Sequence, residues 1–207
     1  MSDVVTQPRT GSVIQSAKVA SRRSEVRDRL LEAGALLFAE RGLSNVSVEE
    51  LIDEVGISRA TFYGFFGNKS ELAAAVLIPV FDSGIAALAE QLPPKPQATA
   101  ERLIDMYLEL WSTHRDALLL TSMVDSTVFP LIRKAHDQFG VAIRKVLQTI
   151  ADADLLRNGD TDLSYLVLAK TGIPLLRLYQ SHPDFETVYR ESMLALLLKT
   201  KRQNHWN

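Results

Sequence analysis

The stretch that decides the fold is residues 47–72, which read SVEELIDEVGISRATFYGFFGNKSEL. Ser47 followed by Glu50 is the signature of a capping box, in which each side chain hydrogen-bonds the backbone N–H of the other residue at the start of a helix. Gly56 permits a turn with positive φ, and Ser58 can cap a second short helix directly after it. Two short helices joined in this way predict a helix-turn-helix, a motif whose second helix enters the major groove of DNA.

The segments on both sides of this motif also show helical periodicity. Residues 24–41 place apolar side chains at three- and four-residue spacing, which predicts an amphipathic helix with Ser24 as its N-cap. Residues 68–92 open on a second capping box and predict a fourth helix, which Pro79 is expected to kink or divide. Residues 24–72 are therefore predicted to form a helix-turn-helix DNA-binding domain with three helices.

The two ends of the chain are predicted to differ in order. Residues 1–23 are rich in Ser, Thr and basic residues and are expected to be a disordered basic arm. Three arginines in or beside this arm could add contacts to DNA phosphates or to the minor groove: Arg22, Arg23 and Arg27. The remaining helices are predicted at residues 100–115, 118–128, 131–151, 161–180 and 185–199. The sequence therefore predicts an all-α fold of about nine helices, a three-helix head followed by a larger helical domain at residues 73–207.

The composition is that of an ordinary globular protein and narrows the possible chemistry. Of the 207 residues, 46% are hydrophobic, 23% are charged and none is Cys, which rules out disulfides and thiolate metal sites. The first 72 residues hold nine basic and ten acidic side chains, so DNA binding must depend on where the charges lie. No apolar run approaches the ~18 residues of a membrane span and no secretory signal is visible, which predicts a cytoplasmic protein without a membrane partner.

Residues 52–63 (IDEVGISRATFY) and 66–72 (FGNKSEL) resemble the DNA-binding signature of the tetracycline-repressor (TetR) family. The resemblance extends over residues 24–76 and implies a transcriptional regulator that binds a palindromic operator as a homodimer. By position it also implies seven DNA-binding residues, which are Ser47, Ser58, Arg59, Ala60, Thr61, Tyr63 and Lys69. Family members often have a polar residue at the position of Phe65, so a polar contact with DNA is expected to be missing there.

The chemistry of these residues supports the implication and also offers simpler explanations. Arg59 can form two hydrogen bonds with guanine, whereas the Tyr63 hydroxyl would contact phosphate. Lys69 stands at a helix N-terminus, where a cation is unfavourable, and this mismatch favours an anionic partner nearby. A DNA contact is favoured for each of the three, although an ordinary surface position would also explain them, and Ser58 is a helix cap whatever the function.

The resemblance further implies that residues 73–207 bind a small-molecule inducer and form the dimer. The candidate ligand-binding residues are apolar or aromatic: Met106, Tyr107, Leu110, Trp111, Met123, Phe129 and Phe139. Such side chains adapt to apolar ligands, and few charges fall among them, so an apolar or amphipathic inducer is favoured. The candidate dimer residues lie on the last two helices: Leu163, Leu166, Val167, Lys170, Ile173, Tyr189, Met193, Leu194, Leu196 and Leu197. Ordinary core packing would explain either set.

An enzyme and a protein-interaction module are the alternatives to a DNA-binding regulator. An enzyme is disfavoured because the four histidines lack metal-ligand spacing and no nucleophile or phosphate-loop motif is present, so no catalytic residue, metal or cofactor is expected. The alternative that stays open is a helical protein-interaction module whose DNA-binding head no longer functions. The function that we expect is a repressor released from its operator by the inducer, and an activator is a further possibility that these residues allow.

Overall fold

The computed structural model of the protein describes residues 10–90 and 92–199, with side chains from residue 18 onward. This part of the chain contains eight α-helices, with 3-10 turns at Leu43–Asn45 and Thr121–Met123. The helices are α1 (Thr10–Arg41), α2 (Val48–Val55), α3 (Arg59–Tyr63), α4 (Lys69–Ala89), α5 (Pro96–Leu120), α6 (Phe129–Asp152), α7 (Thr161–Tyr179) and α8 (Phe185–Leu197). The predicted all-α fold is confirmed, with eight helices in this part of the chain where nine were expected.

Helix α1 begins at Thr10, well before the predicted N-cap at Ser24. The prediction of a disordered arm is therefore wrong for residues 10–23, while residues 1–9 lie outside the described residues. The physical reason is that residues 12–33 contain neither Gly nor Pro, so nothing in this stretch interrupts the helix. The exposed residues 18–25 thus belong to the same helix that contributes Leu30 and Phe38 to the core of the head.

Helix α4 runs unbroken through Pro79, so the expected division of this helix is wrong. It packs against α1, α5 and α6, and these neighbours hold both halves of the helix in one element. It also crosses the predicted domain boundary between residues 72 and 73. Its most apolar window has a mean hydropathy of 2.0, high enough for a membrane span, but half of that window is buried inside the protein, as in the core helix of a soluble fold.

The sequence predicts two helices in residues 100–128, and the structure has a break close to the expected one. Two helical segments of α5 meet at a kink at His114, with φ −135° and ψ 34°, and the second segment ends at Leu120 and not at residue 128. After the 3-10 turn, the Asp125 carboxylate accepts hydrogen bonds from the backbone N–H of Thr127 (2.9 Å) and Val128 (3.1 Å). These bonds hold residues 125–128 as a turn that leads into α6, so the polar side chain competes with a helix here.

The hydrophobic core is continuous between the head and the larger domain. Buried apolar residues form one cluster that includes Phe38 in α1, Phe62 in α3, Leu77 in α4, Met106 in α5 and Tyr189 in α8. Helices α7 and α8 pack on each other, and both also pack on α5, while α7 packs on α6 as well. Helix α4 packs on α1 of the head and on α5 and α6 beside the cavity, and α1 itself also packs on α5.

Candidate DNA-binding surface and ligand cavity

The start of α2 is fixed by the capping box that the sequence predicted. The Ser47 hydroxyl accepts from the Glu50 N–H (3.2 Å), and the Glu50 carboxylate accepts from the Ser47 N–H (2.8 Å). Arg41 of α1 donates to the same carboxylate at 2.6 Å. These bonds, the one from the Ser47 backbone first, lower the pKa of Glu50 from 4.5 to about 2. The carboxylate therefore stays ionised and ties α2 to α1.

The turn into α3 requires a glycine and a hydroxyl, and both are in place. Gly56 has φ 69° and ψ 47°, a left-handed conformation that costs other residues energy even where, as here, a Cβ would have space. The Ser58 hydroxyl accepts from the Thr61 N–H at 3.1 Å. Phe62 is completely buried, so α3 has one fixed face inside. The helix-turn-helix is confirmed, and Tyr63, 48% exposed, stands on its outer surface.

Arg59, the candidate base-reading residue, is paired within the protein. Its guanidinium forms a salt bridge with the carboxylate of Glu49 on α2, and both side chains are more than half exposed. An exposed ion pair contributes only ~0–1 kcal/mol, whereas two hydrogen bonds to guanine discriminate by ~1–3 kcal/mol. The pair therefore holds Arg59 near the outer face of α3 without preventing it from binding a base.

Lys69 has protein partners that the sequence did not indicate. Its ammonium donates to the backbone carbonyls of Leu43 (2.7 Å), Val46 (2.8 Å) and Ser44 (3.4 Å). These carbonyls satisfy the cation at the N-terminus of α4, so the mismatch with the helix dipole no longer requires DNA as an explanation. The contact of Lys69 with phosphate stays a prediction.

The predicted DNA-binding residues thus fall into two groups. Five of them lie together on or directly before α3: Ser58, Arg59, Ala60, Thr61 and Tyr63. Ser47 and Lys69 lie instead at the starts of α2 and α4, where each is engaged in backbone hydrogen bonds. Phe65 is half-buried and packs against the core, as its apolar side chain suggested.

A cavity of about 420 Å³ lies between α4, α5, α6 and α7. Four of the seven predicted ligand-binding residues line it: Tyr107, Leu110, Phe129 and Phe139. The other three, Met106, Trp111 and Met123, do not. Met106 points into the core and is fully buried, and Trp111 packs beside Phe185 of α8. Met123 belongs to the 3-10 turn and packs against the core.

The sequence did not indicate the cavity residues of α4 and α7, nor those of α6 other than Phe129 and Phe139. They include Val80, Phe81, Ile132, His136, Ile143, Tyr165, Leu168 and Ile173. Helix α4 is apolar on most of its surface, so periodicity alone does not tell which of its residues face a cavity. Tyr165 was the available signal, because a polar aromatic residue in an otherwise apolar stretch needs a partner for its hydroxyl.

The polar groups of the cavity are few and lack cations. No Lys or Arg lines it, and Asp125 is the one carboxylate in its wall. Hydrogen bonds from Thr127 lower the pKa of Asp125, which keeps it ionised. Tyr107 is 5% exposed, and neither its hydroxyl nor that of Tyr165 forms a hydrogen bond within the described residues. Burial raises the pKa of Tyr107, so its phenol remains a donor.

Two contacts connect this cavity to the head through α4. The Ser70 hydroxyl, one residue after the start of α4, lies 3.0 Å from the Thr127 hydroxyl in the turn that carries Asp125. Further along, the Phe139 ring lies so close to Gly84 that a Cβ there would be 2.5 Å from the ring. A side chain at residue 84 would therefore require the Phe139 ring, which lines the cavity, to move.

The candidate dimer residues divide into an outer and an inner set. Leu163 and Leu166 of α7 are about half exposed, at 48% and 50%. Tyr189, Met193 and Leu197 of α8 are buried within the chain, so core packing explains these three. An apolar surface nevertheless remains at the start of α7.

Comparisons with known proteins agree with this architecture. The model of a family described as bacterial regulatory proteins, tetR family, matches residues 30–76. The chain is 28% identical over 112 residues to the HTH-type transcriptional regulator EthR of Mycolicibacterium smegmatis, a match that covers 53% of this chain and 51% of that protein. It is 24% identical over 169 residues to the HTH-type transcriptional repressor KstR2 of the same organism, covering 77% of this chain and 82% of that one. The chain thus spans about half of the first relative and most of the second.

Solved structures share the fold over most of the chain. A bacterial regulatory protein of the tetR family from Rhodococcus RHA1 superimposes with a TM-score of 0.70 and 17% identity, covering 85% of this chain and 98% of that one. The ketosteroid transcriptional regulator KstR2 of Mycobacterium tuberculosis superimposes with a TM-score of 0.68 and 22% identity, covering 84% and 95%.

Proposed function

The chain belongs to the tetR family of bacterial regulatory proteins, and from this premise we propose that it is a cytoplasmic repressor released from its operator by a small inducer. The observation that carries DNA binding is the capped α2–turn–α3 unit, which fixes Phe62 inside and Tyr63 outside. Such a unit presents its second helix to the major groove, with side chains near the helix start reaching the base edges. Arg59 and Ala60 are the residues in that position.

The operator is proposed to be palindromic and bound by a homodimer. Leu163 and Leu166 form an exposed apolar surface on α7, and Leu196 of α8 is also exposed. Large apolar side chains that remain in water are stabilised when a second subunit covers them. Two heads related by a twofold axis would then read two half-sites, about one helical turn or ~34–36 Å apart.

The inducer is proposed to be apolar or amphipathic and to bind in the cavity. The wall is built mainly of apolar and aromatic side chains, and its one carboxylate, Asp125, would repel an anion. The free hydroxyls of Tyr107 and Tyr165 offer hydrogen bonds to a neutral polar group of such a ligand.

Release from DNA is proposed to be a shift in population that α4 transmits. Val80 and Phe81 of this helix line the cavity, while its first residue, Lys69, binds the backbone of the head. A ligand that binds better when α4 is displaced therefore favours a different spacing of the two heads and weakens operator binding.

Operator binding can be tested by selecting bound sequences from a random duplex pool. We expect the wild type to enrich a palindrome, and the double variant Arg59→Ala, Tyr63→Ala to lose that enrichment while its unfolding temperature stays unchanged. Lys69 is left intact because its substitution would disturb the head itself. No enrichment by the wild type at low salt would contradict the proposal and favour the helical protein-interaction module.

Inducer binding can be tested with two fluorescent probes of similar shape and different charge. Neutral N-phenyl-1-naphthylamine is expected to bind more tightly than the anion 1-anilinonaphthalene-8-sulfonate, and to lower operator affinity. Ile173→Phe adds bulk to the cavity wall and should weaken the neutral probe, whereas Val141→Phe on the exposed face of α6 should not. Tighter binding of the anion, or equal binding by both variants, would contradict the cavity assignment.

A further inference from the structure

The first described turns of α1 precede residue 30, where the match to the family model begins. Nevertheless they contact the recognition helix. The Arg23 guanidinium donates to the backbone carbonyl of Gly64, directly after α3, at 3.1 Å. It also lies over the Phe65 ring, 4.9 Å from the ring centre. Arg23 is thus fixed at the end of the helix that would enter the major groove.

Arg22 and Arg23 border the surface that α3 offers to DNA. A shallow groove between α1 and α3 is lined by these two arginines together with Ala60 and Thr61, both predicted DNA-binding residues. The phosphates of a duplex follow both edges of the major groove, and side chains that flank a recognition helix meet them there. The two arginines are therefore placed where the backbone of bound DNA would pass.

The charges of the head support the same position. Arg41 is paired with Glu50, Arg59 with Glu49, and the ammonium of Lys69 with backbone carbonyls. Arg22 and Arg23 are exposed, and no carboxylate among the described residues forms a salt bridge with either. Arg23 gives one N–H to Gly64, which leaves its other donors available.

We propose that Arg22 and Arg23 form a phosphate-binding surface at the edge of the recognition helix, and that Phe65 positions Arg23. This inference rests on the DNA binding proposed above. The proposal also gives a role to Phe65, a position where a polar DNA contact was expected to be missing. The Phe65 ring instead lies under the guanidinium of Arg23 from α1. Phosphate contacts carry no sequence information, so this surface adds affinity and not specificity.

The test measures operator affinity of the full chain at several KCl concentrations. Each phosphate contact adds about 0.9 to the slope of log affinity against log salt. Arg23→Gln is expected to lower the slope by about that amount and the affinity roughly five-fold, without changing the selected sequence. Arg22→Gln should behave alike. Arg23→Lys keeps the charge and should retain the wild-type slope with weaker binding.

Two further variants separate a local contact from overall charge and from loss of folding. Lys145→Gln removes one exposed cation from α6, outside the head, and should keep the wild-type slope. Phe65→Leu keeps an apolar side chain but removes the ring. As a single substitution it should weaken operator binding, whereas in a chain that already carries Arg23→Gln it should weaken binding little further. Unfolding temperatures are compared for all variants.

Each outcome supports or overturns a specific statement. A wild-type slope and affinity in Arg23→Gln and Arg22→Gln would overturn the phosphate-binding surface while the proposed operator binding stood. An equal fall in slope with Lys145→Gln would also overturn it, because the effect would then reflect net charge. If the effects of Phe65→Leu and Arg23→Gln on the free energy of operator binding were fully additive in the double variant, the positioning role of Phe65 would be overturned. A wild type that binds no duplex would overturn both proposals.

Discussion

The head and the cavity differ in whether their polar side chains have hydrogen-bond partners within the protein. In the head, Ser47, Ser58 and Lys69 each bind backbone groups of neighbouring segments, so the protein alone determines the geometry of α2 and α3. Around the cavity, the hydroxyls of Tyr107 and Tyr165 have no hydrogen-bond partner within the described residues. The difference indicates that the head is preformed for its partner, whereas the cavity keeps binding capacity for a second molecule.

This contrast predicts opposite effects of removing polar groups in the two regions. A polar atom that is hydrogen-bonded in the folded protein stabilises it, while a buried polar atom without a partner costs ~1–3 kcal/mol. Deletions in the head should therefore lower the free energy of unfolding, and removal of a buried hydroxyl without a partner in the larger domain should raise it.

The largest effect is expected for Lys69→Met, which leaves the carbonyls of Leu43 and Val46 without their donor. We expect the free energy of unfolding to fall by about 1.5–3 kcal/mol, the range for bonds to a charged group. Urea denaturation followed by circular dichroism measures this loss. Lys145→Met, an exposed substitution, should change stability by less than ~0.5 kcal/mol. A similarly small change in Lys69→Met would show that the head does not depend on this lysine.

A smaller loss is expected for Ser58→Ala, which removes the cap of α3. Loss of such a cap typically costs ~1 kcal/mol, measured by the same denaturation, while Ser58→Thr should keep most of the stability. If alanine proved as stable as serine, the preformed state of α3 would have to come from Phe62 and its packing alone.

The opposite sign is expected for Tyr189→Phe, in the larger domain. The Tyr189 hydroxyl is buried and has no hydrogen-bond partner within the described residues. Its removal should raise the free energy of unfolding by about 1 kcal/mol. Tyr179→Phe is the matched control, because the Tyr179 hydroxyl lies 3.2 Å from the Ser192 hydroxyl and its loss should lower stability. Destabilisation by Tyr189→Phe would break the comparison between the two regions.

The smallest effect should appear only in acid, through Glu50. Its pKa is lowered from 4.5 to about 2 in the folded protein, so it stabilises the fold above pH 4.5 and loses this contribution as the pH falls toward about 2. The difference in unfolding temperature between the wild type and Glu50→Gln should be constant near neutral pH and shrink through that window. Glu54→Gln, on the same helix, is the charge-matched control. A difference that persists unchanged at pH 2 would disagree with the capping box as its source.

The sequence predicted the head well because the signals there are local. Ser47 with Glu50, Gly56, and Ser58 each act on neighbours within a few residues, and each acts in the structure as expected. The partners of Lys69 lie more than twenty residues earlier, and Arg23 meets Gly64 across 41 residues, so spacing gave no sign of either. Contacts of this kind depend on how helices pack.

The cavity was only partly predictable for the same reason. Met106 and Tyr107 are consecutive and both buried, yet only Tyr107 lines the cavity. Hydrophobicity shows that both belong inside but not which of them faces an open space. Phe81 was missed because it lies on an apolar helix whose neighbours, and not its own periodicity, determine its role.

The unbroken course of α4 has a consequence for how such proteins can exchange parts. The predicted boundary at residues 72 and 73 falls inside this helix, so recombination there would join one half of a helix to a foreign second half. The new half would have to fit α6 at Gly84, where there is no room for a side chain. The head could be exchanged without dividing α4 only if the recombination junction lay before Asn68. Helix α4 would then stay beside the cavity that it helps to build. Even then the new head would have to fit α4 and α5, because α1 packs on both helices.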